Sequence, residues 1–132
     1  DFSKIPNGMP GVENRFGLIY NGGVAEGRIS VNRFVEIVAT TPARMFGMYP
    51  QKGTVAVGSD ADIVVFDPNA STVISVDTHH MNVDYSAYEG FELAGKVDVV
   101  LSKGKTVVAD NEYLGSPGDG SYLRRGSNQY LI

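Results

Sequence analysis

The stretch Gly53-Thr-Val-Ala-Val-Gly-Ser-Asp-Ala-Asp-Ile-Val-Val-Phe-Asp-Pro68 decides the fold of this chain. Two runs rich in β-branched and aromatic residues, 54–57 and 62–66, flank a Gly-Ser-Asp turn, which predicts two short strands. Asp67-Pro68 predicts the end of the second strand, because proline cannot donate a hydrogen bond to the ladder. A sheet therefore begins here.

Asp60 and Asp62 of this stretch stand one residue apart, as the two carboxylates of a general acid–base pair could. Such a pair needs a cleft and surroundings that push the two pKa values apart. Here both residues flank a turn between strands. We expect Asp60 to accept hydrogen bonds from the next backbone N–H groups of the turn, and Asp62 to begin the strand.

Further strands are predicted downstream. Residues 72–76 form a third β-rich run, and residues 112–114 are a candidate for a short last strand. Residues 97–102 and 106–109 flank Lys103-Gly104-Lys105, which predicts a tight hairpin. The sheet is expected to contain four or five strands.

Upstream of the sheet the pattern predicts short helices. Val12 to Tyr20 has helical apolar spacing and is closed by Asn21-Gly22-Gly23. Ser30 suits the N-cap of the next helix, whose apolar residues follow the i, i+3, i+4, i+7 pattern of one buried stripe: Val31, Phe34, Val35 and Val38. Thr41-Pro42 predicts the cap and first turn of a third helix, which Gly47 ends.

Composition excludes several classes of protein. The 132 residues carry a net charge of -4 without any Lys/Arg run, which argues against a nucleic-acid partner. No apolar run approaches the roughly 20 residues that span a bilayer, so no membrane partner is expected. The absence of Cys excludes disulfides and thiolate metal sites, and it fits a cytoplasmic protein.

His79-His80 is the most obvious candidate for a metal site, with Asp77, Asp84 or Glu89 as further ligands. Adjacent residues do not share a face of a strand or of a helix, so one metal ion could take only one of the two. Zinc sites need three or four protein ligands, and the spacing here fits no such set. We expect one His to pack or form hydrogen bonds and the other to be solvated.

The Pro6-Asn7-Gly8 loop offers a different kind of site. A backbone held between Pro and Gly can present an N–H and a C=O side by side, which matches the C=O and N–H of a cyclic amide or imide. The alternative is an ordinary surface turn.

Several segments together resemble one family, the D-hydantoinases and dihydropyrimidinases, which are cyclic-amide hydrolases of the amidohydrolase superfamily. The Gly-Ser-Asp-Ala-Asp turn alone is shared by many amidohydrolases. The Ile-Pro-Asn-Gly loop and Thr-His-His-Met narrow the resemblance. It rests on Lys4–Gly8 with Gly11–Arg15, Arg28–Val35, Thr41–Gly47, Gly53–Pro68, and Thr78–Met81 with Tyr88–Gly90.

The resemblance implies an α/β fold: the C-terminal portion of a (β/α)8 barrel followed by the C-terminal strands of a composite β-sandwich. Residues 1–51 would be the last substrate loop and helices of the barrel, and residues 52–114 the sandwich strands. Residues 115–132 would be a tail that packs at a subunit interface of a homotetramer or dimer. The rest of the same polypeptide would then be a partner of this segment.

The resemblance also implies an activity. Members open dihydropyrimidine or 5-substituted hydantoin rings to N-carbamoyl amino acids with two zinc ions, which activate a hydroxide and polarise the ring carbonyl. Their ligands would all lie upstream of Asp1, so this segment is expected to hold no metal and no catalytic residue, and to be inactive alone. The one position carried over is Asn7, whose backbone would contact the substrate.

Two alternatives stay open. Collapsin response mediator proteins share the architecture but act as non-catalytic scaffolds through assembly and partner binding. Gly11–Arg15 and Thr78–Met81 resemble the enzymes more closely, and the tail lacks the basic, Ser/Thr-rich extension of the scaffolds. Allantoinases and dihydroorotases share the turn but fit the Asn7 loop less well.

Overall fold

The computed structural model describes residues 1–5 and 8–130. After a 3-10 turn at Phe2–Lys4 come three short α-helices: α1 (Arg15–Ile19), α2 (Val31–Val35) and α3 (Thr41–Met45). π-helical segments at Tyr20–Ala25 and Glu36–Thr40 continue α1 and α2. Four strands follow: β1 (Ile63–Val73), β2 (Glu92–Ser102), β3 (Lys105–Ala109) and β4 (Glu112–Tyr113).

The strands form one antiparallel sheet in the order β1-β2-β3-β4. Lys103 and Gly104, with φ of 51° and 80°, form the two-residue turn between β2 and β3, so the hairpin prediction is confirmed. Asp110 and Asn111 turn the chain in the same way between β3 and β4, with φ of 51° and 61°. The short last strand was also predicted correctly.

The predicted strand at residues 54–57 is wrong. This run pairs with no strand among the described residues, and Val55 and Val57 are almost fully exposed. β propensity measures how well a residue fits a paired, half-buried surface, and without a neighbouring strand it cannot fix an extended ladder.

The prediction that Asp67-Pro68 ends the strand is also wrong, because β1 runs on to Val73 and takes in the first two residues of the predicted third strand, 72–76. Residues 74–76 lie outside any strand, so a separate third strand is not formed. The register with β2 shifts between Asp67 and Ser71, and Pro68 lies within that irregularity. β1 is an edge strand. Because residues 68–70 have no partner in the register with β2, Pro68 removes no ladder hydrogen bond. Edge strands and bulges are the places where a sheet tolerates proline.

The helices follow the predicted caps more closely than the predicted packing. Ser30 accepts a hydrogen bond from the backbone N–H of Arg33 at 3.2 Å, so the N-cap is confirmed. Phe34 is 3% exposed, but Val31 is 54% exposed, so the predicted stripe is only partly buried.

The predicted helix ends need correction. The first helix does not end at Asn21-Gly22-Gly23, because the π-helical segment Tyr20–Ala25 runs through these residues. The second helix is not interrupted before Thr41-Pro42, because the π-helical segment Glu36–Thr40 continues it up to Thr41. Thr41 lies inside α3 instead of capping it, whereas Gly47, with φ of 66°, follows the helix end as predicted.

An aromatic cluster joins the helices to the sheet. Phe16, Tyr20 and Phe34 pack edge-to-face with centroid distances of 4.9 Å and 5.6 Å, and Phe66 of β1 lies 4.5 Å from Tyr20. The ring of Phe66 also covers Gly95 of β2, where a Cβ would fall 2.1 Å from Cζ. Through Phe66, the aromatic cluster packs the helices against the paired strands β1 and β2.

Candidate functional site

One charged cluster ties residues 52–62, which precede β1, to the sheet. The ammonium of Lys52 lies 2.8 Å from the carboxylate of Asp60 and also contacts Asp62. Asp62 accepts the backbone N–H of Lys103 at 2.8 Å, and Ala61 accepts that of Gly104 at 2.9 Å. We call these contacts the joint, because they attach residues 52–62 to the β2–β3 turn.

The joint corrects the prediction for Asp60. Its side chain pairs with Lys52 and accepts from Gln51 Nε2 at 3.3 Å, instead of accepting from the backbone N–H groups that follow it. The hydrogen bond from Lys52 lowers the pKa of Asp60. Burial opposes the charge of Lys52, but the two carboxylates outweigh it and raise the pKa of Lys52. Both carboxylates share one cation, which is a structural arrangement.

His80 holds a second charged cluster. Its Nδ1 lies 2.9 Å from Glu13 Oε1, its backbone N–H donates to Glu13 Oε2 at 2.7 Å, and its Nε2 lies 3.0 Å from the carbonyl oxygen of Asn111. Carboxylate and carbonyl oxygens only accept, so both ring nitrogens must carry protons to satisfy this geometry. The hydrogen bond to Glu13 raises the pKa of His80 accordingly. We call these contacts the clasp.

His79 is not solvated as expected. Its Nδ1 accepts the backbone N–H of Met81 at 3.1 Å, and its buried Nε2 has no hydrogen-bond partner within residues 1–5 and 8–130. The expectation that one His forms hydrogen bonds is therefore confirmed by His80. The expectation that the other is solvated is wrong, because the Nε2 of His79 is buried.

The described residues do not fit a metal ion. Within residues 1–5 and 8–130, no three His, Cys, Asp or Glu side chains come together as a metal site would need. Both ring nitrogens of His80 already face oxygen acceptors.

A cavity of about 430 Å³ lies between α1 and the β1–β2 hairpin, with Phe16, Phe66 and Leu93 on its walls. Ser75 and His79 also line it, which invites a nucleophile–base interpretation. Ser75 Oγ instead accepts the backbone N–H of Asp77, and His79 Nε2 forms no hydrogen bond to Ser75 or to another group in the part of the chain that the structure describes. The cavity thus contains no activated nucleophile among the described residues.

The chain around the predicted substrate loop is held from the sheet side. Asn7, the predicted substrate contact, lies outside the described residues together with Pro6, so it stays a prediction. The carbonyl of Gly8 accepts a hydrogen bond from Tyr85 Oη at 3.3 Å. Glu13, five residues further on, is held by His80.

The tail packs on α3 of its own chain. The backbone N–H groups of Gly126 and Gln129 donate to the carbonyls of Gly47 and Arg44 at 2.7 Å and 3.2 Å. These bonds satisfy acceptors that a helix end leaves open. The prediction that the tail lies at a subunit interface is untested by these contacts. Separately, the described helices include none long and apolar enough to cross a membrane.

Comparison with known proteins assigns the family. The sequence profile of the amidohydrolase family matches residues 8–107. This chain belongs to that family. It is 60% identical to a D-hydantoinase of Streptomyces coelicolor over 99% of its own length, and 50% identical to a D-hydantoinase of Geobacillus stearothermophilus over 100%. The chain spans 28% of the length of each of these relatives.

Solved structures of this amidohydrolase family agree. The D-hydantoinase of Bacillus sp. AR9 superposes with a TM-score of 0.89 and 55% identity, over 95% of this chain and 27% of that one. A dihydropyrimidinase of Brevibacillus agri NCHU1002 gives 0.90 and 54% over the same shares. The resemblance to hydantoinases and dihydropyrimidinases is thus confirmed along nearly the whole chain.

The residues that sequence reasoning missed are the partners of the motifs. Glu13 and Tyr85 stand 67 and 77 residues from the groups they bind, and a single sequence contains no signal for pairings so distant. Asn111 could be detected in part, because Asp110-Asn111 is a typical turn pair. The spacing of the residues does not show that the carbonyl of Asn111 binds His80.

Proposed function

We propose that this chain is the C-terminal region of a metal-dependent cyclic-amide hydrolase that opens dihydropyrimidine or 5-substituted hydantoin rings to N-carbamoyl amino acids. The observation that carries the proposal is identity of 50–60% to proteins named D-hydantoinase over nearly the whole chain. These names also favour a hydrolase over a non-catalytic scaffold.

In this proposal residues 1–51 belong to a (β/α)8 barrel and residues 52–114 to a composite β-sandwich. Large apolar side chains without cover support a larger assembly, since exposed apolar surface of this kind needs a partner. Val55, Val57 and Phe91 are examples on the described surface. The partner would be the remainder of the same polypeptide, and subunits would associate as tetramers or dimers in the cytoplasm.

The chemistry would come from zinc ions held outside this segment, which would supply an activated hydroxide and polarise the ring carbonyl. The contribution of this segment would be binding. Asn7 would contact the cyclic amide through its backbone, and the joint would hold the sandwich strands against the helices that carry the loop. Asp60 and Asp62 would take no part in ring opening.

The test uses the longest natural polypeptide that contains this sequence. We expect it to hydrolyse dihydrouracil or 5-phenylhydantoin, to lose that activity after dialysis against a chelator and to regain it with zinc. Absence of ring opening with either substrate, in protein reconstituted with zinc, cobalt or manganese, would contradict the proposal.

A matched pair of variants tests the binding role. Asn7→Ala keeps the backbone and should leave most of the activity, whereas deletion of Gly8 displaces the backbone and should abolish it. If Asn7→Ala abolished turnover in a protein that still unfolds cooperatively, recognition through the backbone would be wrong.

A further inference from the structure

The Thr-His-His-Met motif has no part in the proposed chemistry, but the structure places it against Glu13, in the chain that follows the substrate loop. We propose that the segment of residues 75–90, here called the 75–90 loop, positions the chain from Gly8 to Glu13 through His80 and Tyr85. These two would be positioning residues for ring opening. The inference rests on the proposed function, since it concerns the same loop.

The 75–90 loop is anchored at its base. The backbone N–H of Gly90 donates to Ile74 at 2.8 Å, and that of Ile74 donates to Phe91 at 3.0 Å, which joins the two ends of the loop. The carboxylate of Glu89 accepts the backbone N–H of Val76 at 2.8 Å. The loop is therefore closed at the point where it leaves the sheet, as compact surface loops are.

The middle of the loop is fixed to the sheet as well. Asn111, in the turn between β3 and β4, donates its side-chain amide to the carbonyl of Thr78 at 3.1 Å and accepts from His80 Nε2 at 3.0 Å. Two bonds from one turn residue thus hold the His motif on both sides. Because these bonds fix the motif to the sheet, the position of the sheet determines the position of His80.

His80 then grips the other chain segment with two bonds. Its backbone N–H and its Nδ1 reach the two oxygens of the Glu13 carboxylate at 2.7 Å and 2.9 Å. Charge-assisted bonds to both oxygens of a carboxylate fix its orientation as well as its distance. The side chains of His80 and Glu13 remain 30% and 34% exposed, so this pair contributes more to geometry than to stability.

Tyr85 makes the second attachment, closer to the predicted substrate contact. Its hydroxyl donates to the carbonyl of Gly8 at 3.3 Å. Gly11 lies against the ring of Tyr88, which a Cβ at that glycine would approach to 3.8 Å. The segment from Gly8 to Glu13 is thus held at both ends and touched between them by side chains of one loop.

Such a support suits recognition through backbone groups. A main-chain N–H and C=O cannot adjust by changing rotamer, so their place depends on how the chain on either side is held. Small displacements of these binding groups weaken the affinity for the substrate. The motif residues would act on the substrate only through this placement.

The experiment compares variants of the longest natural polypeptide that contains this sequence. His80→Ala and Tyr85→Phe each remove one attachment. His80→Asn keeps a side-chain donor near the position of Nδ1 and should rescue part of the loss. The matched control is Asp119→Asn, which breaks an exposed ion pair to Lys105, also 2.7 Å long, away from the loop.

Two readouts are taken. With 5-phenylhydantoin, His80→Ala and Tyr85→Phe should raise KM about tenfold while kcat stays within about threefold, the signature of lost uniform binding. By hydrogen exchange with mass spectrometry, peptides covering residues 8–13 should exchange about tenfold faster in both variants than in Asp119→Asn.

The outcomes separate this inference from the proposed function. If the parent protein opens the ring but both variants match Asp119→Asn in KM and in exchange of residues 8–13, positioning by the loop is overturned and the enzyme assignment stands. If the parent protein opens no cyclic amide, the exchange comparison alone decides: faster exchange of residues 8–13 supports the positioning, and unchanged exchange overturns it.

Discussion

The joint and the clasp are both built from charged side chains, but they differ in reach and in pH response. The joint links residues about ten positions apart, Lys52 with Asp60 and Asp62, and is centred on a cation whose pKa is raised. The clasp links Glu13 and His80 across 67 positions and is centred on an imidazole. The joint is thus held by a lysine, whereas the clasp depends on an imidazole whose pKa the hydrogen bond to Glu13 raises.

Crowding at the joint should give the largest effect. Gly53 has φ of 81°, and a Cβ there would lie 2.4 Å from the Ala43 Cβ and 2.9 Å from the Ala39 carbonyl oxygen. We expect Gly53→Ala to lower the free energy of unfolding by about 3 kcal/mol, from a strained φ plus overpacking. The matched control is Gly58→Ala, where φ is 91° but the space is open, so about 1 kcal/mol is expected. Equal losses in urea unfolding would show that helix and signature stretch are not in close contact.

Removing the cation of the joint should have an intermediate effect. Lys52→Met removes the ammonium that Asp60 and Asp62 share, and we expect a loss of about 1–2 kcal/mol in the free energy of unfolding. Lys105→Met, which breaks the more exposed pair with Asp119, should cost less. The account of the joint fails if the two variants unfold at the same urea concentration.

Titrating the clasp should give the smallest effect. The Glu13 carboxylate raises the pKa of His80 above its ordinary value of 6.5. A raised pKa in the folded state means that the stabilisation is complete below pH 6.5 and disappears as the pH rises through the folded pKa. The loss should be less than about 1 kcal/mol, because the pair is partly exposed. The free energy of unfolding of the parent protein should fall as the pH rises from about 5.5 to 8.5, and that of His80→Asn should change less. A free energy of unfolding that rises with pH in the parent protein would contradict stabilisation by protonated His80.

The sequence predicted correctly those features that depend on a few neighbouring residues, and it failed for those that depend on distant partners. The Lys103-Gly104 hairpin and the Ser30 cap rest on dihedral preferences and hydrogen bonds within a few residues, and both were predicted. The strand at 54–57 was predicted wrongly because strand formation needs a partner that propensity does not supply. The Asp67-Pro68 stop failed because Pro68 lies in an irregularity of an edge strand, where it has no partner in the register with β2. Both the irregularity and the edge position are tertiary properties.

The same reasoning explains the candidate site. The Pro-Asn-Gly loop and the His pair were visible as motifs, whereas their connection was not. Glu13, Tyr85 and Asn111 reach their partners across 67, 77 and 31 positions. Each is an ordinary residue type in its own neighbourhood, and only the folded chain brings it to the motif.

The central claim is that this segment supports and positions a substrate loop while the metal chemistry lies elsewhere in the polypeptide. Metal analysis of two purified proteins tests it most directly: this chain of 132 residues, and the longest natural polypeptide that contains it. We expect stoichiometric zinc and ring opening in the longer protein, and neither in the chain of 132 residues. About one or two zinc ions per copy of the shorter chain, retained through dialysis, would contradict it.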